Sequence, residues 1–479
     1  MTPAARVVAL DRLVSLPAWL VAAADPAQVG AALAARVPEL AGAPPVECKV
    51  ERLRLRPDGW AVRYRLTVDG ADGHRRALRL AGTLRPPLPD VDQGRSGEHP
   101  ADPARRIVVP ELGLDLHTET EDPGLPALAT LTDPELARPY LEGQLRQGST
   151  RLSGLRLRAC RPEVLRYKPG NRCTIRYELG YGPDDATPDR PEVVVVKTYA
   201  KEAGASTWAG MRAMWASPLG RGDPVRIAEP LAYDPGRRVL VQGMVPGERT
   251  LKQLVRSALR DGSPAAEEEL GAALDRTAAG LAALHGSGVR HGEAVSWDDE
   301  LAKLRAALPG LALAGPEVAG AAAALIGTLV TAAAAHPPDP PGPAHRAFRP
   351  AQVLLDGVPG ADGFRLGFID FDGFCQAEPA MDVGVFLAAL TNIGMYTPLG
   401  ERQADLPARL GQVRAAGARF LDGYRSLAPV SAGRVAVWEA LELATYVLNG
   451  WIKVQPSRLA NLLVALGARL EGLDGPGTR

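Results

Sequence analysis

Three runs in the last third of the chain concentrate the side chains able to do chemistry. The first is His345-Arg-Ala-Phe-Arg-Pro-Ala-Gln352, leading into Val353-Leu-Leu-Asp356. The second is Leu366-Gly-Phe-Ile-Asp-Phe-Asp-Gly-Phe374, and the third is Glu378-Pro-Ala-Met-Asp382. Carboxylates and amides are hard oxygen donors of the kind a divalent cation takes. An aspartate after an apolar strand is by itself an ordinary turn residue. Asp370 gains weight from His345 upstream and Asp382 downstream. Earlier in the chain, Val193-Val-Val-Val196 is a β-branched run that reads as a buried strand ending in Lys197. Lysine is scarce here, with seven residues at 49, 168, 197, 201, 252, 303 and 453, so a well-placed one carries information.

The elements that must position these groups can be read from periodicity. Residues 12–42 read as helical with breaks at Pro17 and Pro26, and an N-terminal helix is expected there in preference to a leader peptide. Residues 46–56 and 60–69 alternate apolar and polar side chains around Pro57-Asp58-Gly59, a hairpin signature. A third strand is expected over 77–84, followed by a mobile Pro-, Gly- and Arg-rich loop over 85–105. A second hairpin, 163–167 and 173–179, turns through Lys168-Pro-Gly-Asn-Arg172. It shares with the first an Arg-Tyr strand after a Pro- and Gly-containing turn, through either a partial duplication or coincidence between two Arg-rich hairpins. Beyond Lys197 the pattern predicts a helix over 203–216 and strands over 226–234 and 238–244. Helices are then expected over 248–260, 265–287, 297–308 and 317–335. A proline-rich linker and a short hairpin, 353–356 and 365–370, precede terminal helices over 380–391, 406–427, 431–453 and 455–471. A small β-rich region before a large helical one is a two-lobed α+β architecture.

These runs resemble the aminoglycoside-phosphotransferase and choline-kinase family, which has a protein-kinase-like fold. The family pattern is H-x-D-x-x-x-x-N, an apolar strand, I-D-[FW], and a further Asp about twelve residues on. Here the match covers His345, Pro350, Val353, Leu354, Ile369, Asp370, Pro379, Ala380 and Asp382. The resemblance extends over residues 150–479. It implies ATP and Mg²⁺ as cofactors, with Gln352 and Asp370 in the metal-ligand slots and Asp372 as a further candidate. It implies a phosphate contact at Lys197 and at Arg172, with Gly170 allowing close backbone approach. The segment from Gln242 through Met244 to Val245 would be the hinge that meets an adenine edge. His345, Arg346 and Asp382 would form and brace the catalytic loop.

At the family's catalytic aspartate stands Ala347. Alanine can neither orient a hydroxyl nor accept its proton, and loss of a general base typically costs about 10²–10⁴-fold. No other carboxylate lies between His345 and Asp356, and Arg349 is inert in acid-base chemistry. The helix glutamate that pairs with the strand Lys in the family has no counterpart either, since Glu202 is too close to Lys197. The expected function is therefore a nucleotide-binding pseudokinase with impaired or lost phosphoryl transfer. An active phosphotransferase for a hydroxyl of a small metabolite or antibiotic is the first alternative, and a non-catalytic interaction module the second.

Composition narrows the partners. The chain has 479 residues, 55 of each charge sign and net charge zero, so no broad attraction to nucleic acid or anionic membrane is expected. No uninterrupted apolar run of about 18 residues predicts a membrane span. Four cysteines without C-x-x-C spacing point to reduced thiols and a cytoplasmic setting. The expected divisions are an N-terminal extension over 1–145, a small lobe over 146–245 and a helical lobe over 246–479. His291-Gly-Glu293 imitates the loop motif but lacks the following hairpin, and reads as the entry to the 297–308 helix. The Phe348, Phe364, Phe368, Phe371 and Phe374 group reads as core.

Overall fold

The computed structural model describes residues 13–37, 40, 45–56, 59–69, 75–87, 106–119, 122, 124–168, 170–182, 185, 187–396, 406–456 and 459–474. Most of the expected 85–105 loop, Pro57 and Asp58 of the first hairpin, and Pro169 of the second lie outside them.

Strand β1 (Glu47–Arg56), β2 (Gly59–Asp69), β3 (Arg75–Leu84), β4 (Arg106–Val109) and β5 (Leu114–Glu119) form an antiparallel sheet in the order β1-β2-β3-β5-β4. Alternation explains its two faces. Trp60, Val62, Tyr64, Leu66 and Val68 of β2 are buried, while Arg63 and Arg65 between them point to the other side. The expected helix over 12–42 is two shorter helices, Ala18–Ala22 and Pro26–Ala34. Asp25 caps the second, accepting the Ala27 N–H at 2.8 Å.

A second antiparallel sheet has the order β10-β11-β8-β7-β6, from β6 (Leu157–Lys168), β7 (Arg172–Tyr181), β8 (Val193–Tyr199), β10 (Pro230–Asp234) and β11 (Val239–Gly243). Its core joins Cys173, Ile175, Val194, Val196 and Val241 to Ala137, Leu141 and Leu145 of helix Pro134–Gly148. The boundary expected at 145/146 runs through that helix. Strand β9 (Arg226–Ile227) does not continue into β10. It pairs in parallel with β15 (Arg365–Phe368) in a small sheet with β12 (Arg249–Thr250) and β14 (Val353–Asp356). Strands β13 (Gly342–Ala344) and β16 (Cys375–Ala377) make a two-stranded ribbon.

The remainder is helical, so the expected two-lobed α+β arrangement is present. The helix Pro379–Gly394 is buried on nearly every side and packs against Ala432–Ile452 and Leu406–Arg425. The helix Pro316–Ala334 is long and apolar enough, by composition, to cross a membrane, although Thr328 and Thr331 interrupt its apolar run. Its Val318, Leu325 and Leu329 are buried in the same core as the other helices.

Two tryptophans tie the first sheet to the helical lobe. Trp60 Nε1 donates to the Trp451 carbonyl at 3.2 Å, and Trp451 Nε1 donates to the Leu13 carbonyl at 3.0 Å. Both rings are almost wholly buried. Truncating a buried Trp removes its contacts and leaves a cavity, at about 3–5 kcal/mol. Trp451→Ala should therefore lower the unfolding free energy by about that amount. Urea unfolding checks it, and a change below about 1 kcal/mol would mean that the first sheet is not integral to the fold.

Candidate active site between the lobes

The second sheet delivers two cations to one place. Strand β8 is β-branched and buried, and it runs on past Lys197 to Tyr199. Lys197 is thus inside the strand and 5% exposed, not at a strand end in solvent. Strand β7 begins at Arg172, directly after a tight turn closed by Lys168 pairing with Arg172. Gly170 in that turn has φ +60°, in the left-handed region that suits glycine.

The helical lobe delivers two carboxylates. Asp370 follows β15 and Asp372 lies in the short 3₁₀ turn after it. Lys197 Nζ donates to Asp370 Oδ1 at 3.2 Å and to Asp372 Oδ1 at 2.6 Å. Arg172 donates to both Asp370 oxygens at 3.2 Å and also bonds Asp372. The Tyr199 hydroxyl donates to Asp372 Oδ1 at 3.2 Å. Burial opposes ionisation of Asp370, but Lys197 and Arg172 outweigh it and hold the carboxyl well below the usual range. Burial and then the Asp372 charge push the Tyr199 phenol well above its ordinary value.

The histidine loop is braced as a unit. The His345 backbone N–H donates to Asp382 Oδ2 at 2.6 Å, and His345 Nε2 donates to the Ile369 carbonyl at 3.0 Å. A carbonyl only accepts, so Nε2 carries the proton. Asp382 is fully buried at the start of helix Pro379–Gly394 and also bonds His285 Nε2 at 3.2 Å. His285 Nδ1 in turn meets the Tyr424 hydroxyl at 2.7 Å. This network locks the loop to the strand end that carries Asp370. Arg346 and Asp370 both have positive φ, 68° and 69°, a costly backbone for residues other than glycine that is tolerated where surroundings impose it. Glu378, just before Asp382, is held by two-pronged bonding to the buried Arg434 at 2.6–2.9 Å.

Ala347 lines a cavity of about 260 Å³ with Glu300, Arg346, Arg349, Trp438 and Glu442. Arg346 Nε donates to Glu300 at 3.0 Å and its Nη1 to Glu293 at 2.7 Å. Arg346 is therefore committed to ion pairs at this wall. Arg349 donates to Glu442 Oε1 at 2.8 Å. Burial raises the Glu442 carboxyl pKa, against the pull of Arg349. Glu293 belongs to the loop that imitated the motif, and that loop packs against β16 and enters helix Trp297–Arg305. The five phenylalanines are all buried in the core.

Gln352 presents a buried Oε1 with no hydrogen-bond partner among the described residues, and its backbone carbonyl accepts the Ile369 N–H at 3.0 Å. An orphaned amide oxygen next to the Asp370 segment fits a hard-cation ligand slot. No group of three or more His, Cys, Asp or Glu able to hold a metal alone occurs among the described residues. Gln242 is buried in β11, opposite Val195 of β8, whereas Met244 beyond it is 42% exposed. These two lie at the end of β11, where the chain leaves the second sheet for the helical lobe. Tyr199, Glu442 and Glu300 join the site without having been singled out in the sequence. Only the two-residue spacing from Lys197 to Tyr199 along a strand carried a signal, since it places both on one face.

Three comparisons bear on relationship. No curated protein matches the chain. Among solved structures, a glucosamine kinase in complex with glucosamine, ADP and inorganic phosphate is 18% identical, covers 96% of this chain and 100% of its own, and has a TM-score of 0.41. A choline/ethanolamine kinase family protein from Mesorhizobium loti is 15% identical over 62% of this chain and 86% of its own, with a TM-score of 0.36. The streptomycin–ATP complex of APH(2")-IIa is 15% identical over 65% and 90%, with a TM-score of 0.38. The model of the APH phosphotransferase enzyme family matches residues 190–430, which is 241 of 479 residues and includes Lys197, the histidine loop, Asp370 and Asp382. This chain therefore belongs to the APH phosphotransferase enzyme family.

Proposed function

We propose that the chain binds a nucleoside triphosphate between its lobes and transfers phosphate poorly or not at all. The observation that carries this reading is the meeting of Lys197 and Arg172 with Asp370 and Asp372 across the lobes, in a chain whose loop has Ala347 at the base position. Phosphoryl transfer is mostly positioning and charge neutralisation. Lys197 and Arg172 are suited to phosphate oxygens, and the hinge at Gln242 and Met244 to the base. Gln352 and Asp370 would hold Mg²⁺, which when bound supplies neutralising charge on the phosphates. Arg172 competes for the same Asp370 oxygens, so nucleotide entry requires this pairing to be exchanged. A hydroxylated small molecule suits the cavity beside Ala347, since its walls carry ion-paired Glu300, Arg346, Arg349 and Glu442.

One observation favours the active alternative. Glu442 faces the same cavity as Ala347, and burial raises its carboxyl pKa above the usual value, against the pull of Arg349. A carboxylate from the helix Ala432–Ile452 would then serve where the loop has none.

Calorimetry with magnesium and ATP should give a binding signal in the native chain and a loss of at least about ten-fold in affinity in Lys197→Met, the scale of one charge-assisted hydrogen bond. Absence of heat in the native chain would end the nucleotide reading. In a phosphate-transfer or ATP-hydrolysis assay, Ala347→Asp should raise the rate by about 10²-fold or more. If instead the native chain already turns over and Glu442→Gln abolishes it, the alternative holds.

Asp370 also sets a pH dependence. Its folded pKa lies below its unfolded value, so its contribution to stability is present above about pH 4 and is lost as pH falls through the folded pKa. Urea denaturation from about pH 7 to pH 3 should show a shallower acid limb in Asp370→Asn than in the native chain. Identical slopes would show that the ion pairs do not stabilise the fold.

A further inference from the structure

The cavity lined by Ala347 has charged walls, and among the described residues each of its charges is matched. Helix Trp297–Arg305 contributes Glu300 and Lys303, the histidine loop Arg346 and Arg349, and helix Ala432–Ile452 Glu442. Glu300 accepts from Lys303 Nζ at 2.6 and 2.7 Å and from Arg346 Nε at 3.0 Å. Arg346 also donates to Glu293, outside the lining, and Glu442 accepts from Arg349 Nη2 at 2.8 Å. Three cations thus meet three carboxylates, and the set has no net charge. Glu442 is the most buried of these carboxylates, with its side chain 12% exposed against 21% for Glu300. Burial works against the Arg349 charge, but Glu442 and more weakly Asp370 hold the guanidinium above its ordinary range.

Two residues of the same lining carry N–H groups that lack an acceptor. Trp438 Nε1 and Arg349 Nε are buried and have no hydrogen-bond partner among the described residues. Trp438 is only 2% exposed. Both atoms can donate and neither can accept. A buried donor left unsatisfied costs free energy, so a ligand that relieves it must bring lone pairs. Hydroxyl and ring oxygens have them, whereas an ammonium has none. The rest of the lining is largely apolar, with Leu304, Met381, Val385 and Leu441. The volume of about 260 Å³ lies just below the range of about 300–1,000 Å³ usual for drug-sized ligands, which suits a smaller molecule.

We infer that Arg349 determines specificity at this cavity: by holding the Glu442 carboxylate it excludes ammonium-bearing molecules, and the site takes an uncharged, polyhydroxylated molecule the size of a single sugar ring. The inference rests on the proposed use of this cavity for a hydroxylated small molecule, and it names that molecule's charge class. An ammonium is held here only if it draws Glu442 or Glu300 away from its partner. Breaking half of a buried pair leaves the other charge unmatched, which is costly. A carboxylate would have to draw Arg349 or Arg346 from its glutamate in the same way. Hydroxyls accept from the two orphan donors and donate to the paired carboxylates without separating any pair. Selectivity then comes mainly from what the wall refuses.

The test is calorimetry on the full chain with matched pairs that differ by one amine: glucose and glucosamine, galactose and galactosamine, mannose and mannosamine. Glucuronate is added as the acidic analogue, and each titration is run with and without magnesium and ATP. At about pH 6.5, below the usual range of an amine, the amino sugars are charged. At least one neutral hexose should bind, with its amine partner and glucuronate at least about ten-fold weaker. Arg349→Met frees the Glu442 carboxylate and should reverse the order, so that the amine binds more tightly than the sugar. The double variant Arg349→Met, Glu442→Gln has neither charge and should bind the amine no better than the native chain. Arg349→Lys keeps the charge and should keep both the native preference and the native thermal unfolding, which separates specificity from folding. An amine bound by the native chain as tightly as its sugar, an Arg349→Met variant that keeps the native order, or no binding across the panel would overturn the proposal. If magnesium and ATP give no heat while the hexose preference stands, the nucleotide reading falls and this assignment remains. If ATP binds and the panel does not, only this assignment falls.

Discussion

Two aspartates held by two cations across the lobes organise this molecule. Asp370 and Asp372 are largely removed from water, and a buried carboxylate without positive partners would protonate or push its segment outward. Lys197 and Arg172 prevent that, and both come from neighbouring strands of the other lobe. The cluster is thus an adhesive between the lobes. It also explains how Asp370 can keep a left-handed backbone. Both its carboxylate oxygens are bonded, and the residue before it is bonded to His345 and Gln352.

The first sheet is a bracket around this arrangement. At one end Trp60 and Trp451 join it to the last helices, and at the other its Arg63 meets the turn that leads into Arg172. Asp122, in the connection to the second lobe, accepts from the same turn through Tyr167 and Gly170. A Cβ on Gly124 would stand 2.9 Å from Gly170 Cα, so the two backbones run in close contact. The turn beside the cleft is therefore enclosed by the N-terminal part of the chain, and its freedom depends on a region that carries no recognisable motif.

Much of the helical lobe was legible because amphipathic periodicity is local. Helix ends fell within a few residues of expectation at Ala203–Trp215, Pro264–His285 and Ala432–Ile452. The stretch over 106–148 was not legible. Strands β4 and β5 are short, and helix Pro134–Gly148 contains two prolines, two glycines and six charged or amide residues, so its Ala137, Leu141 and Leu145 stripe is sparse. The 226–234 run was expected as one strand. It divides because Ile227 pairs with Phe368 whereas Pro230 pairs with Gln242, and no local signal states which partner a strand will have.

The chemistry divides along the same line. The sequence alone determined the composition of the histidine loop, including the absence of a carboxylate at Ala347, because a missing side chain is missing in any fold. It also determined which residues were candidates, since Lys, Asp and Gln have their properties wherever they stand. Only the tertiary structure decided that Lys197 and Arg172 bond Asp370 and Asp372, some 200 residues away, and that Glu442 shares a cavity with Ala347. Periodicity reports which face of an element is buried. It carries no record of the distant segment that buries it, because that choice minimises the energy of the whole chain at once.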